Sequence, residues 1–165
     1  MEIISLLDKL EQDGSFKEWK KENQFSYLAH VFKLLDDANV DDWQIGYYNK
    51  DDTITTFIIT PGEIKKAETE NIFKKPDAKI RKLDKEKIKI DITEALQTAE
   101  KIQTKEYKSE TPFKIITILQ NLDLGQVYNI TYVTQTFNVL NFKIDSSTGK
   151  VLAKSLKSVM DFKAE

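Results

Sequence analysis

Few side chains in this sequence are equipped for covalent or acid–base chemistry. There is no cysteine among the 165 residues, which excludes a thiol nucleophile, a thiolate metal site and a disulfide scaffold. His30 is the single histidine, so any site needing two imidazoles is excluded as well. It is the one side chain whose unperturbed titration falls near neutrality. No G-x-S-x-G elbow accompanies it, and neither G-x-x-x-x-G-K-[ST] nor G-x-G-x-x-G occurs, so common nucleophilic hydrolases and nucleotide enzymes find no support. Carboxylates gather at Asp36, Asp37, Asp41 and Asp42, and again at Asp51 and Asp52. They lack the spacing and central glycine of a calcium loop and read as a solvated cap-and-turn surface. No catalytic, cofactor-binding or metal-binding residue is assigned.

The remaining candidates are aromatic. Trp43, Tyr47 and Tyr48 lie in one short segment, and Tyr128 and Tyr132 in another. In extended chain, residues two or four apart share a face, so Trp43 pairs with Tyr47 and Tyr128 with Tyr132. Such a face either packs a core or receives a protein or peptide partner. These five are the candidate partner-binding residues.

The elements that must position them follow from periodicity. Ile3, Ile4, Leu6, Leu7 and Leu10 have helical spacing, which Asp13-Gly14 ends. Ser15 and Glu18 form a capping-box pattern opening a second helix, expected to run through Phe16, Trp19 and Phe25 to Leu35. Tyr27, Leu28, Val31, Leu34 and Leu35 would be its apolar stripe, with His30 at the boundary and a stop near Ala38-Asn39. Trp43 to Tyr48 and Thr53 to Thr60 read as strands around the turn Asn49–Asp52. Ten basic and five acidic residues fill 65–89, a connector with short extended pieces and Pro76 in its middle.

Asp91 and Glu94 start another helix, with Ile92, Ala95, Leu96, Ala99 and Ile102 on one side. Three strands follow, Phe113–Gln120, Gln126–Thr134 and Phe137–Asp145. The turn Ser146–Gly149 leads out through Lys150-Val151-Leu152, and one or two helical turns are expected from Ser155 to Phe162.

The halves repeat. Trp43-Gln44-Ile45-Gly46-Tyr47 matches Tyr128-Asn129-Ile130-Thr131-Tyr132 at an offset of 85 residues, and Phe57–Thr60 matches Phe142–Asp145 at the same offset. The expected architecture is α+β: one antiparallel sheet covered on one face by helices, two helix-plus-hairpin repeats, and an extra N-terminal helix. Its divisions are an N-terminal helical region 1–40, a first set of strands with the connector at 41–90, a second unit at 91–152 and a helical tail at 153–165. On this reading Phe113–Gln120 has no counterpart in the first half.

The segment 91–152 resembles a PepSY domain. The resemblance rests on Ile92-Thr93-Glu94-Ala95-Leu96 with Ala99, on the strand tyrosines Tyr128 and Tyr132, and on the ending Phe142-Lys143-Ile144-Asp145-Ser146-Ser147-Thr148-Gly149-Lys150-Val151-Leu152. It implies a noncovalent regulatory or binding module, with no catalytic residues to transfer. Asp145, Thr148 and Gly149 have a turn-forming job in that ending: Asp145 accepts turn amides and Gly149 supplies positive φ.

Charge narrows the partners. The net charge is −2, and among 25 basic residues only Arg81 is an arginine, so nucleic acid is not expected. No stretch approaches the roughly 18 apolar residues of a membrane span, and Met1–Ser5 does not open a signal peptide. The expectation is a cytoplasmic, non-enzymatic module for a protein or peptide partner. Two alternatives are an adaptor docking through its N-terminal helices, and a small-ligand protein or enzyme with a cavity between helices and sheet.

Overall fold

The computed structural model describes residues 2–36, 42–72 and 78–164, with the backbone alone for 162–164. Asp37, Ala38, Asn39, Asp41 and Pro76 lie outside the described residues. Two short helices begin the chain, α1 (Glu2–Gln12) and α2 (Gly14–Glu22). Ile3, Leu7 and Leu10 bury one side of α1, and Phe16 and Trp19 one side of α2. The N-cap of α2 is Asp13, not Ser15: its carboxylate accepts the Phe16 N–H at 3.0 Å and the Ser15 hydroxyl.

The second helix stops much earlier than its apolar spacing predicts. Residues 27–35 are a strand, β1 (Tyr27–Leu35), paired with β2 (Trp43–Tyr48) on one side and β6 (Pro112–Leu122) on the other. A β-bulge lies between Leu28 and His30, so Leu28 and Val31 share a face although three residues apart. That extra residue imitates helical spacing. His30 consequently sits on a strand, on the face away from Val31.

The next strands, β3 (Thr53–Thr60), β4 (Glu63–Lys66) and β5 (Glu70–Asn71), complete the first half. Helix α3 (Ile92–Glu106) then precedes β6, β7 (Gly125–Thr134), β8 (Asn138–Asp145) and β9 (Val151–Ser158). The Glu94 side chain accepts the Asp91 N–H at 3.5 Å, while the Asp91 carboxylate takes the Glu2 and Ile3 amides at the start of α1. Helical structure in the tail begins only at Val159, because Ser155 and Leu156 pair in register with Asn141 and Leu140 of β8.

The nine strands of the described residues form one antiparallel sheet in the order β4-β3-β2-β1-β6-β7-β8-β9, with β5 against β3. The two halves meet at β1 and β6, and β1 is the missing counterpart of β6. Ile45 faces Phe57 as Ile130 faces Phe142, and Trp43 faces Ile59 as Tyr128 faces Ile144. At the junction Val31 pairs with Leu119 and Lys33 with Thr117, while His30 pairs with Gln120 and Leu34 with Ile116. Adding 86 to the β1 number exchanges these pairs, so a local two-fold axis passes between Phe32 and Ile118. The helices share one core with the inward side chains of the strands, including Ile45, Phe57, Leu119, Tyr128, Ile130 and Phe142.

Candidate binding surface

Four of the five aromatic candidates belong to that core. Trp43, Tyr47, Tyr128 and Tyr132 are 6%, 4%, 0% and 3% exposed, packed between the sheet and the helices. In the first half Phe16, Trp19, Tyr47 and Phe57 form a ring cluster with centroids 5.1–6.0 Å apart. In the second, Phe142 packs against Tyr132 at 5.6 Å and Tyr107 at 6.4 Å. Burial raises the phenol pKa of Tyr47 and Tyr128, and that of Tyr132 to about 12. The Tyr128 hydroxyl is spent on the Ile90 carbonyl at 2.7 Å, fixing the connector to the sheet. Tyr48 alone faces the other way. It is half-buried against Tyr27, with centroids 5.4 Å apart, and its hydroxyl donates to Asp52.

The turn residues have the structural job expected of them. One Asp145 carboxylate oxygen accepts the Ser147 and Thr148 amides at 2.8 Å each, Thr148 Oγ1 accepts the Lys150 amide at 3.2 Å, and Gly149 has φ 77°. Burial alone would raise the Asp145 pKa, but the Thr148 and Ser147 N–H groups, the Thr148 hydroxyl and the charge of Lys87 together outweigh it and hold it below 3.8. Nearby, Gln126 grips both backbone groups of Asp84, and Ser146 accepts the Lys89 and Ile90 amides through its carbonyl. The lysine-rich connector is therefore built in at its end, with Leu83 and Ile88 in the core.

The opposite face of the sheet carries no helix among the described residues. Its centre, on the two-fold axis, is apolar: Phe32 and Leu34 from β1 lie beside Ile118 and Ile116 from β6, all half-buried. Ile54 and Ile58 extend the patch across β3 in the first half. The second half is polar. Asn129 donates to Gln120 at 2.9 Å, Asn141 to Asn129 at 2.7 Å and Thr131 at 3.0 Å, and Lys143 to Asn141 at 2.7 Å. Thr56 and Thr131 lie on this face, whereas Thr55 and Thr134 are buried.

His30 lies between these zones, its ring laid over Gly46 so closely that a Cβ there would stand 2.2 Å from the imidazole Cε1. Burial lowers its pKa below 6.5. Sequence reasoning assigned none of the central apolar residues to a surface. The signal that could have found them is alternation within Val31–Leu35, which the bulge obscured.

No family model matches the chain, and no curated protein matches it. The fold does have a solved likeness. A candidate lipoprotein from Clostridium difficile 630 superposes with a TM-score of 0.55 at 17% identity, over 90% of this chain and 97% of that one. The likeness is one of fold, over nearly the whole of both chains.

Proposed function

We propose that the chain is a noncovalent PepSY-like binding module that engages a protein or peptide partner through the uncovered face of its sheet. The observation that carries this reading is the half-buried apolar centre, Phe32, Leu34, Ile116 and Ile118, lying on a face that no described helix covers. An apolar patch with a polar, hydrogen-bonded margin has the anatomy of a recognition surface. Two lanes of the sheet supply chemically different neighbours: isoleucines on β3, and the Gln120–Asn129–Asn141–Lys143 ladder across β6 to β8.

The adaptor reading draws less from the structure. The apolar residues of α1 and α2 point into the core, and Lys17, Glu18, Lys21 and Glu22 form an exposed polar exterior. The test is site-specific photocrosslinking in the native organism from Gln44 and Ile118 on the open face, and from Lys17 and Lys101 on the helical layer. The proposal expects one discrete adduct from the first pair and none from the second. Equal adducts from both faces, or none from either, contradict it.

A further inference from the structure

A groove in the helical layer lies where α2 and the connector residues 82–85 face each other over the start of β1. It has a volume of about 950 Å³. Phe16, Leu28 and Leu83 supply apolar wall, and Phe25, 78% exposed, stands on the rim.

Two of the polar groups, the Tyr47 hydroxyl and the Lys82 ammonium, are donors without an acceptor among the described residues, and Lys20 adds its charge. Tyr47 is 4% exposed and clamped by Phe16, Trp19 and Phe57, yet it lines the groove and its hydroxyl has no hydrogen-bond partner among the described residues. Lys20 gives its ammonium to the carbonyls of Asn23, Gln24 and Ser26 at 3.3, 3.0 and 2.6 Å, with no carboxylate partner. Burial, and then the neighbouring charge of Lys82, lowers the Lys20 pKa. Lys82 likewise has no ion pair among the described residues. The acids of the lining are already engaged: Glu11 by Lys85 at 3.2 Å, and Asp84 by the Glu86 amide at 3.0 Å. Lys20 and Lys82 together place positive charge beside an apolar wall, which is complementary to an anion with an apolar body.

We propose that this groove binds a small amphipathic carboxylate, its anionic head facing Lys20 and Lys82 and its apolar body against Phe16, Leu28 and Leu83. The Tyr47 hydroxyl is the hydrogen-bond donor available to it. An acyl chain acid and the C-terminus of a peptide with an apolar last residue share this chemistry. The site lies on the helical side of the sheet, so its fate is independent of the open-face reading.

The experiment is a two-dimensional NMR titration of the whole chain with decanoate, decanol, and an apolar-ended tripeptide as the free acid and as the amide. Binding of decanoate or of the free-acid peptide, with shifts concentrated at Phe25, Leu28 and Lys82, is the expected result, and whichever acid binds more tightly identifies the source. Lys82→Glu should weaken that binding about tenfold or more while leaving decanol unaffected, and Tyr47→Phe should weaken it about threefold with the melting curve as a folding control. Absence of shifts from both acids at about 5 mM, or decanoate and decanol binding equally well, would overturn the proposal.

Discussion

The two halves of the sheet have the same strand pairing but solve the problem of covering it in different ways. In the first half two short helices deliver bulk, Leu7, Leu10, Phe16 and Trp19, onto Tyr47 and Phe57. In the second a single helix of 15 residues presents Ala95 and Ala99, and bulk comes up from the sheet as Tyr128, Tyr132 and Phe142. Tyr47 meets Phe57 and Tyr132 meets Phe142 edge-on in both, at 6.0 and 5.6 Å. Shared register with exchanged volume means the sheet dictates the geometry and the helices fill what it leaves.

The ends of the repeats differ in the same manner. Behind the first hairpin, Ser26, Asn49, Thr53 and Thr55 make a neutral hydrogen-bonded seal. Behind the second, the carboxylate of Glu110 accepts from Thr134, Thr136 and Asn138 at 2.8, 2.5 and 3.0 Å. Both hairpin turns place a residue at φ 59°, Asp52 in one and Phe137 in the other. Asp tolerates the left-handed region more easily than an aromatic residue does, so the second turn carries the greater backbone strain.

If the halves are equivalent in packing, Phe57→Ala and Phe142→Ala should each cost about 3–5 kcal/mol in denaturant unfolding. A cost confined to one of them would break the equivalence. Smaller effects sharpen the contrast. Glu110→Ala should cost about 1–3 kcal/mol, since it leaves Thr134, Thr136 and Asn138 without their acceptor.

The sign of the pH dependence follows from the Thr136, Thr134 and Asn138 donors, which lower the Glu110 pKa below 4.5. Its stabilisation is complete above the unfolded value and is lost as pH falls through the folded one. Glu110→Gln should therefore flatten the acid limb of the stability curve. An unchanged limb would show that the seal is not charged.

Gly46→Ala should destabilise by about 1–3 kcal/mol, because the new Cβ meets the His30 ring. Adding His30→Ala should recover most of that loss in the same unfolding measurement. The smallest effect is a gain. Thr117 is buried on the core face with its hydroxyl unpartnered, and Val31 occupies the equivalent place in the first half. Thr117→Val should stabilise by about 1 kcal/mol, and a loss of stability would mean that the hydroxyl is bonded after all.

Much of this was legible in the chain. The strands around Trp43, Phe57, Tyr128 and Phe142 announced themselves by alternation, and the offset of 85 residues is the register of the fold. The Asp145–Gly149 turn was legible because its chemistry is local. The central strand was hidden, since the bulge at Leu28 gives an edge-to-edge pairing a helical apolar spacing. The tail was misread because Leu156 owes its strand to Leu140, which no local pattern records. The groove was invisible for a related reason: α2, β1, β2 and the connector each contribute a piece, and only folding assembles them.

The central claim is that one sheet face is core and the other is free. A protein without cysteine offers a direct measurement: the rate of thiol labelling in the native state for Ile118→Cys and Gln44→Cys against Ile45→Cys and Ile130→Cys. The account predicts labelling of the first two within about tenfold of a free thiol, and labelling of the second two slower by a factor of about 10³ or more, limited by opening of the core. Equal protection of all four positions would show that the open face is covered and would contradict the account.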